Sequence, residues 1–490
     1  MSPARSSTAA VRRLAAALVV VGALVAGVTA ASSLGTSYTF PTATPKADCG
    51  PGARPETSYQ GRVPTADYTS GRVERGYQCN ARQVSHHGDT GGFKVLRYRD
   101  RGGRTCAFYD STLLFPKDVL VNSVTGLGTV VLDMDDPARP RRTTTLTSPA
   151  MLSPHESLLL NKKRGILAAV LANPRTNAGI VDLYDVRSNC RQPRLLSSTP
   201  TGLLGHESGF SPDGRTFWTA SAGESLAAID IADPTAPTTI FTQFGITYHG
   251  LRLSDDGRTM YVANIGNSSP SADTRGGLRI LDVSQVQDRK TDPQVKVLAD
   301  LDWRERSIPQ VNEPFSRNGH RYLLEIDEYA DYSASTVTDP GSSAVGAARI
   351  INIDNPRRPV VVSDIRLKVH QPKQRNGDQK LDPGAQAPVQ GYAGHYCSVP
   401  KRKAPKLVGC SMILSGLRIF DIRDVRHPKE VAYFNRPLPL GGRPTNPEAM
   451  GAFAMSQPAW DAGRRSVWYT DGNTGFYVVK LTNGVGRLLD

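Results

Sequence analysis

Short runs of alternating apolar and polar residues recur along this chain, each four to eight residues long and bounded by Gly, Pro, Asp or Asn. The clearest set spans 206–241: HESGFS, a Pro-Asp-Gly turn, RTFWTAS, SLAAIDI, an Asp-Pro break and TTIFTQF. Gly and Asp tolerate the positive φ such turns require, and Asp233-Pro234 ends the third run because proline cannot donate to a ladder. The pattern predicts a four-stranded antiparallel sheet that cannot bury both of its faces alone.

The third run recurs as GTVVLDM at Gly128, GIVDLYDV at Gly179, SLAAIDI at Ser225, GLRILDV at Gly277, AARIINI at Ala347, GLRIFDI at Gly416 and GFYVVKL at Gly475. Repeats spaced by about 45–70 residues, each a sheet needing neighbours on both faces, close into a ring. The expected fold is all-β, a single seven-bladed β-propeller. The seventh unit lacks a fourth run, and NARQVSHH at 80–87 has the right size to supply it, so an N-terminal strand is expected to close the ring and remove an open edge. These motifs resemble the LVIVD-repeat family of bacterial and archaeal cell-surface propellers. The resemblance covers nearly all of the chain after its leader and implies the fold, with no single activity attached.

Residues 1–31 read as a signal peptide or an N-terminal anchor: Arg5, Arg12 and Arg13 precede an apolar run from Leu14 to Ala30 that ends in Val28-Thr29-Ala30. Residues 32–75, rich in Ser, Thr, Pro, Gly and Arg, read as an irregular N-terminal tail, leaving 76–490 for the propeller. Six cysteines in an exported chain imply disulfides. Cys397 and Cys410 face each other across a predicted hairpin, whereas Cys49, Cys79, Cys106 and Cys190 admit three pairings. The formal charge is +14, or +11 once the three leader arginines are removed. The basic residues are scattered, without a stripe or interleaved aromatics, which excludes a nucleic-acid groove and suits a cell-envelope polymer or an extracellular protein as partner. Membrane contact is expected only through an uncleaved anchor.

Turns between first and second runs are short, and long connections fall at 111–127, 265–276, 327–346, 367–391 and 435–448. In an antiparallel blade these long connections share one face, which is where binding is expected. The Asp ending most third runs (Asp133, Asp185, Asp230, Asp282, Asp421, with Asn352 in the same register) reads as a turn cap, since its carboxylate can accept the N–H groups of the turn.

Histidines open several first strands, which are innermost: His155, His206, His249 and His395, with Glu156 and Glu207 adjacent and Glu313 and Glu448 opening the fifth and seventh units. Imidazoles and carboxylates converging on the channel mouth form a candidate site for a divalent metal, Zn²⁺, Cu²⁺ or Ca²⁺. The competing expectation is that each histidine bonds the backbone of a neighbouring blade and orders the repeat. Strand alternation turns His206 and Glu207 to opposite sides. Asp327, Glu328 and Asp331 form an acidic cluster in what reads as a long loop, either a cation site or a patch that serves solubility. No G-x-S-x-G, HExxH, P-loop or dinucleotide fingerprint is present. Two functions follow: a secreted or cell-surface binding module using the loop-rich face, or a metal-dependent oxidase or hydrolase at the channel mouth.

Overall fold

Six of the seven third strands end in a side chain that caps the next turn. Asp133, Asp185, Asp230, Asp282, Asn352 and Asp421 each accept the backbone N–H two residues on. The first turns are equally regular. In blades 3 and 4, Ser211 and Ser254 donate to Asp213 and Asp256, while Gly214 and Gly257 take positive φ values of 73° and 72°. With both hairpins fixed locally, each repeat has one register available.

A computed structural model describes residues 39–111, 127–171, 179–200, 205–220, 225–266, 276–303, 308–329, 347–387, 390–442 and 450–490. The leader expected at 1–31, Glu448 and Asp331 lie outside them. Pro41–Asp490 form one unit. Two N-terminal strands, β1 (Tyr77–Cys79) and β2 (Ala81–His87), precede blade 1, made of β3 (Val95–Arg99), β4 (Thr105–Asp110), β5 (Thr129–Asp133) and β6 (Arg141–Leu146). Blade 2 holds β7 (Leu159–Asn161), β8 (Ile166–Val170), β9 (Ile180–Asp185) and β10 (Arg194–Pro200). Blade 3 holds β11 (Glu207–Phe210), β12 (Thr216–Ala220), β13 (Ser225–Asp230) and β14 (Thr238–Phe244). Blade 4 holds β15 (Tyr248–Leu253), β16 (Thr259–Asn264), β17 (Gly277–Asp282) and β18 (Lys296–Asp302). Blade 5 holds β19 (Ile308–Arg317), β20 (His320–Glu328), β21 (Ala348–Asn352) and β22 (Val360–Ile365). Blade 6 holds β23 (Tyr396–Ser398), β24 (Leu407–Ser411), β25 (Leu417–Asp421) and β26 (Lys429–Asn435). Blade 7 holds β27 (Ala459–Asp461), β28 (Ser466–Asp471) and β29 (Gly475–Leu481), and β2 pairs antiparallel with β29 as its outer strand. The seven-bladed propeller is therefore closed as the sequence predicts.

Three features depart from the expectation. Strand β1 adds a fifth strand to blade 6, against β26. The stretch PHESLLL does not run as one strand: His155–Ser157 is a 3₁₀ turn, and only Leu159–Asn161 pairs with β8. In blade 7 the innermost strand is Ala459–Asp461, because GAFAMS contributes only isolated bridges, from Gly451 to Leu438 and from Ala454 to Ile413 and Asp471.

From residue 39 to 75 the N-terminal segment carries only the short helices Thr65–Thr69 and Arg72–Arg75, and it is docked. Ala47, Val63, Tyr68 and Val73 form a small core with Tyr77, Cys79 and Tyr433. Glu56 and Glu430 flank the buried Arg418 guanidinium, and Arg62, Thr65 and Tyr392 converge on Asp382 in the segment joining blades 5 and 6. Cys397 pairs with Cys410 as expected, and the open choice resolves as Cys49–Cys79 and Cys106–Cys190. The first of these new bonds ties the tail to β1. Among the described residues no helix is long and apolar enough to cross a membrane.

Two buried acids at the ends of second strands carry a pH dependence. Asp110 accepts from the backbone of Phe93 at 3.0 Å, but its other oxygen has no partner, and burial raises it to about 7. Asp471, in the equivalent place in blade 7, is raised by burial to about 6. Between about pH 4 and these values the unfolded chain has released protons that the folded one keeps. Stability from these groups is thus fully present below about pH 4 and is lost as the pH rises through 6–7. Asp110→Asn, which keeps the accepting oxygen, is expected to raise the urea midpoint at pH 8 and leave it nearly unchanged at pH 4. An equal change at both pH values would show that Asp110 does not titrate in this range.

Candidate metal centre

The innermost strands of neighbouring blades pack side by side, β11 on β15, β15 on β19 and β19 on β23, so residues at their starts face a shared space. His206 immediately precedes β11, with its backbone N–H on Ala220. His249 is the second residue of β15, within the bulge between Tyr248 and Leu251. His395 precedes β23 and bonds the Ser411 carbonyl through its backbone N–H. His155 and Glu156 both reach the cluster because they sit in a 3₁₀ turn, where the alternation of a strand does not apply. His155 has φ +49°, a left-handed conformation uncommon for a residue with a side chain. A second such residue, Tyr329 at φ +53°, follows the remaining member, Glu328.

Six side chains meet. Nε2 of His155 and Nε2 of His206 are 3.3 Å apart. One oxygen of Glu156 lies 3.3 Å from Nε2 of His206 and 3.2 Å from Nε2 of His249. Its other oxygen is 3.3 Å from Nε2 of His395. Glu328 reaches the same two buried imidazoles, at 3.6 Å from His249 and 2.9 Å from His395. Two donors each about 2.0–2.1 Å from a tetrahedral ion stand about 3.3 Å apart, which is the spacing found here.

The outer nitrogens fix which end of each ring points inward. Nδ1 of His249 lies 2.9 Å from the Pro309 carbonyl of blade 5, and Nδ1 of His395 lies 2.8 Å from the Met455 carbonyl ahead of blade 7. A carbonyl only accepts, so Nδ1 carries the proton and Nε2 presents a lone pair to the cluster when the ring is neutral. His249 and His395 thus each bond the next blade's backbone through Nδ1, as the structural expectation has it, while Nε2 points at the shared space. Nε2 of His395 and the Glu156 oxygen shared by His206 and His249 are buried, and each meets the other charged groups of the cluster.

Burial pushes Glu156 up, but the His206 and His249 imidazoles outweigh it and hold the carboxyl well below its usual range. For His249 burial acts downward, and Glu328 and Glu156 overcome it to raise the ring to about 9. His395 is raised by the same two carboxylates against its burial. The site thus favours positive charge, supplied by protons or by a cation. Phe93 lies 4.5 Å from the His155 ring and 5.2 Å from that of His395, and Tyr329 and Tyr396 pack on His395 at 5.5 and 5.0 Å. This aromatic wall keeps one side dry. The His206 side chain is 25% exposed whereas His249, His395 and Glu156 are at 2% or less, so solvent reaches the cluster from the His206 side.

Glu207 and Glu313, candidate ligands on sequence grounds, are engaged elsewhere. Glu207 turns away from His206, as alternation requires, and binds the fully buried Lys94, Arg252 and the Tyr396 hydroxyl. Glu313 pairs with Arg252 at 3.0 Å. Lys94 and Arg252 carried no sequence signal, whereas Glu328 read as part of an acidic loop cluster with Asp327 and Asp331. A signal that places it was available: the alternation of HRYLLEIDE runs on to Glu328, which is the last residue of β20 and not part of a loop. Its neighbour Asp327 pairs instead with Arg349 and accepts from the Trp303 indole.

No protein-family model matches the sequence, and no curated protein matches it. Among solved structures the chain is similar to hydrazine synthase of Kuenenia stuttgartiensis, with 12% identity, TM-score 0.48, and 81% of this chain and 97% of that one covered. The β-propeller domain of Myceliophteria thermophila Cps50 (Swd1) gives 11% identity, TM-score 0.48, and coverage of 81% and 98%. The RRP9 WD40 repeats give 12%, 0.48, and 82% and 97%. These figures carry no function.

Proposed function

We propose that this protein is an exported metalloprotein, a metal-dependent oxidase or hydrolase whose centre lies at the mouth of the propeller channel. The observation that carries the reading is the convergence of four imidazoles and two carboxylates whose inward nitrogens and oxygens lie 2.9–3.6 Å apart in a largely buried space. Imidazole-rich donor sets suit Zn²⁺ or Cu²⁺ better than Ca²⁺, which takes oxygen ligands. Glu156, His249, His395 and Glu328 would hold the ion, oriented by the Pro309 and Met455 carbonyls. Four protein donors fill a tetrahedral shell, so such an ion would supply Lewis-acid or redox chemistry only by expanding to a fifth position. The exposed His206 side is where a substrate would enter, while Phe93, Tyr329 and Tyr396 exclude water behind it. Three disulfides without a free cysteine among the described residues support export to an oxidising compartment. The repeats' likeness to LVIVD cell-surface propellers and the basic charge suit a place at an anionic envelope.

Protein purified from culture medium without chelator should carry a transition metal by mass spectrometry, and Glu156→Ala should lose it while keeping its circular dichroism spectrum. A wild-type protein without metal, even after incubation with Zn²⁺ or Cu²⁺, would leave the loop-rich face as a binding surface and remove the enzyme reading.

A further inference from the structure

The six donors do not sort as one shell. His155, Glu156 and His206 bring ligand atoms within 4.8 Å of one another, and so do Glu156, His249 and Glu328. His395 stands outside both groups, yet its Nε2 lies 3.3 Å from the other Glu156 oxygen and 2.9 Å from the other Glu328 oxygen, so it can share an ion with His249 where both carboxylates chelate. Only Glu156 belongs to both. Ligand atoms around a single ion lie at most twice the metal–ligand distance apart, about 4.2 Å, so donors sorted into two sets cannot all serve one ion. Two-metal sites hold their ions about 3.5–4 Å apart, commonly with a shared ligand between them.

We infer that the centre takes two divalent ions bridged by Glu156, one held with His249, His395 and Glu328 and the other with His155 and His206. This deepens the reading above and rests on it. The two halves differ in the way such a pair requires. The His249, His395 and Glu328 half is buried and braced by backbone carbonyls, which suits an ion that stays. The other half has only three protein donors and an exposed histidine, which leaves room for an exogenous ligand. Glu156 is placed for the bridge because one of its oxygens faces both His206 and His249. The left-handed backbone at His155 gains a reason, since it lets consecutive residues supply a terminal ligand and the bridge to one ion.

The test counts ions. Chelator-stripped full-length protein is incubated with Zn²⁺, passed through gel filtration and analysed for zinc per chain. Two are expected in the wild type and one in the His155→Ala/His206→Ala variant. A wild type that holds one ion, or a double variant that loses none, overturns the bridged pair and leaves the single-ion reading standing. A wild type that holds none overturns both. Should the double variant fail to fold, as judged by its circular dichroism melt, the wild type loaded with Cu²⁺ decides. Two bridged ions couple magnetically, so the integrated electron paramagnetic resonance intensity should fall below one spin per copper. Full intensity from two coppers overturns the bridge.

Discussion

Glu207→Gln should lower stability by about 3–5 kcal/mol, because it strips the counter-charge from two cations that water cannot reach. Lys94 has no exposed surface and Arg252 very little, and both point at the Glu207 carboxylate. Burial pushes Glu207 up, yet Arg252 and Lys94 hold it below its usual range, so the folded protein keeps it ionised. Glutamine retains the shape but not the charge. Arg252 still has Glu313, whereas Lys94 is left with the face of Tyr396, 3.8 Å from the ring centre. The measurement is the urea midpoint, with metal content as a control that should not change, since Glu207 is not a ligand. Replacing both partners, Glu207→Leu with Lys94→Met, should recover much of the loss. An unchanged midpoint for Glu207→Gln would mean that the network contributes nothing to holding the innermost strands together.

Ring closure predicts a larger effect. A chain beginning at Gly91 lacks β1 and β2, leaving β29 as an open apolar edge that carries Tyr477, Val479 and Leu481. It is expected to yield no soluble monomer. A chain beginning at Gly76 with Cys79→Ser keeps both strands and should fold, but with a lower melting temperature than the full protein. It loses the packing of Val63, Tyr68 and Val73 and the Glu56–Arg418 pair. Equal melting temperatures for the two truncations would sink the closure argument. A Gly76 chain as stable as the full protein would show that the docked tail adds nothing.

What was legible in the sequence is what short-range physics sets. Alternation, turn residues and the capping Asp recur within a dozen residues of one another, so the blades, their number and the closing strand follow from local pattern and the need to cover an edge. The same alternation separated His206 from Glu207 correctly, because those two residues flank and begin a regular strand. It failed at His155-Glu156, where a 3₁₀ turn with one left-handed residue puts neighbours into the same cluster. Glu328 is separated from Glu156 in sequence by three whole blades and half of a fourth, and only closure of the ring brings its carboxylate to His249 and His395. Cys49–Cys79 and Cys106–Cys190 were likewise open, since a cysteine's partner depends on where the tail docks and which blades adjoin. The sequence by itself determined the fold and a ring of histidines, since both are periodic. Which carboxylates join those histidines, and which are neutralised by Lys94 and Arg252, was decided by the tertiary structure, because the pairing of buried charges depends on distances of 3–4 Å that no spacing along the chain encodes.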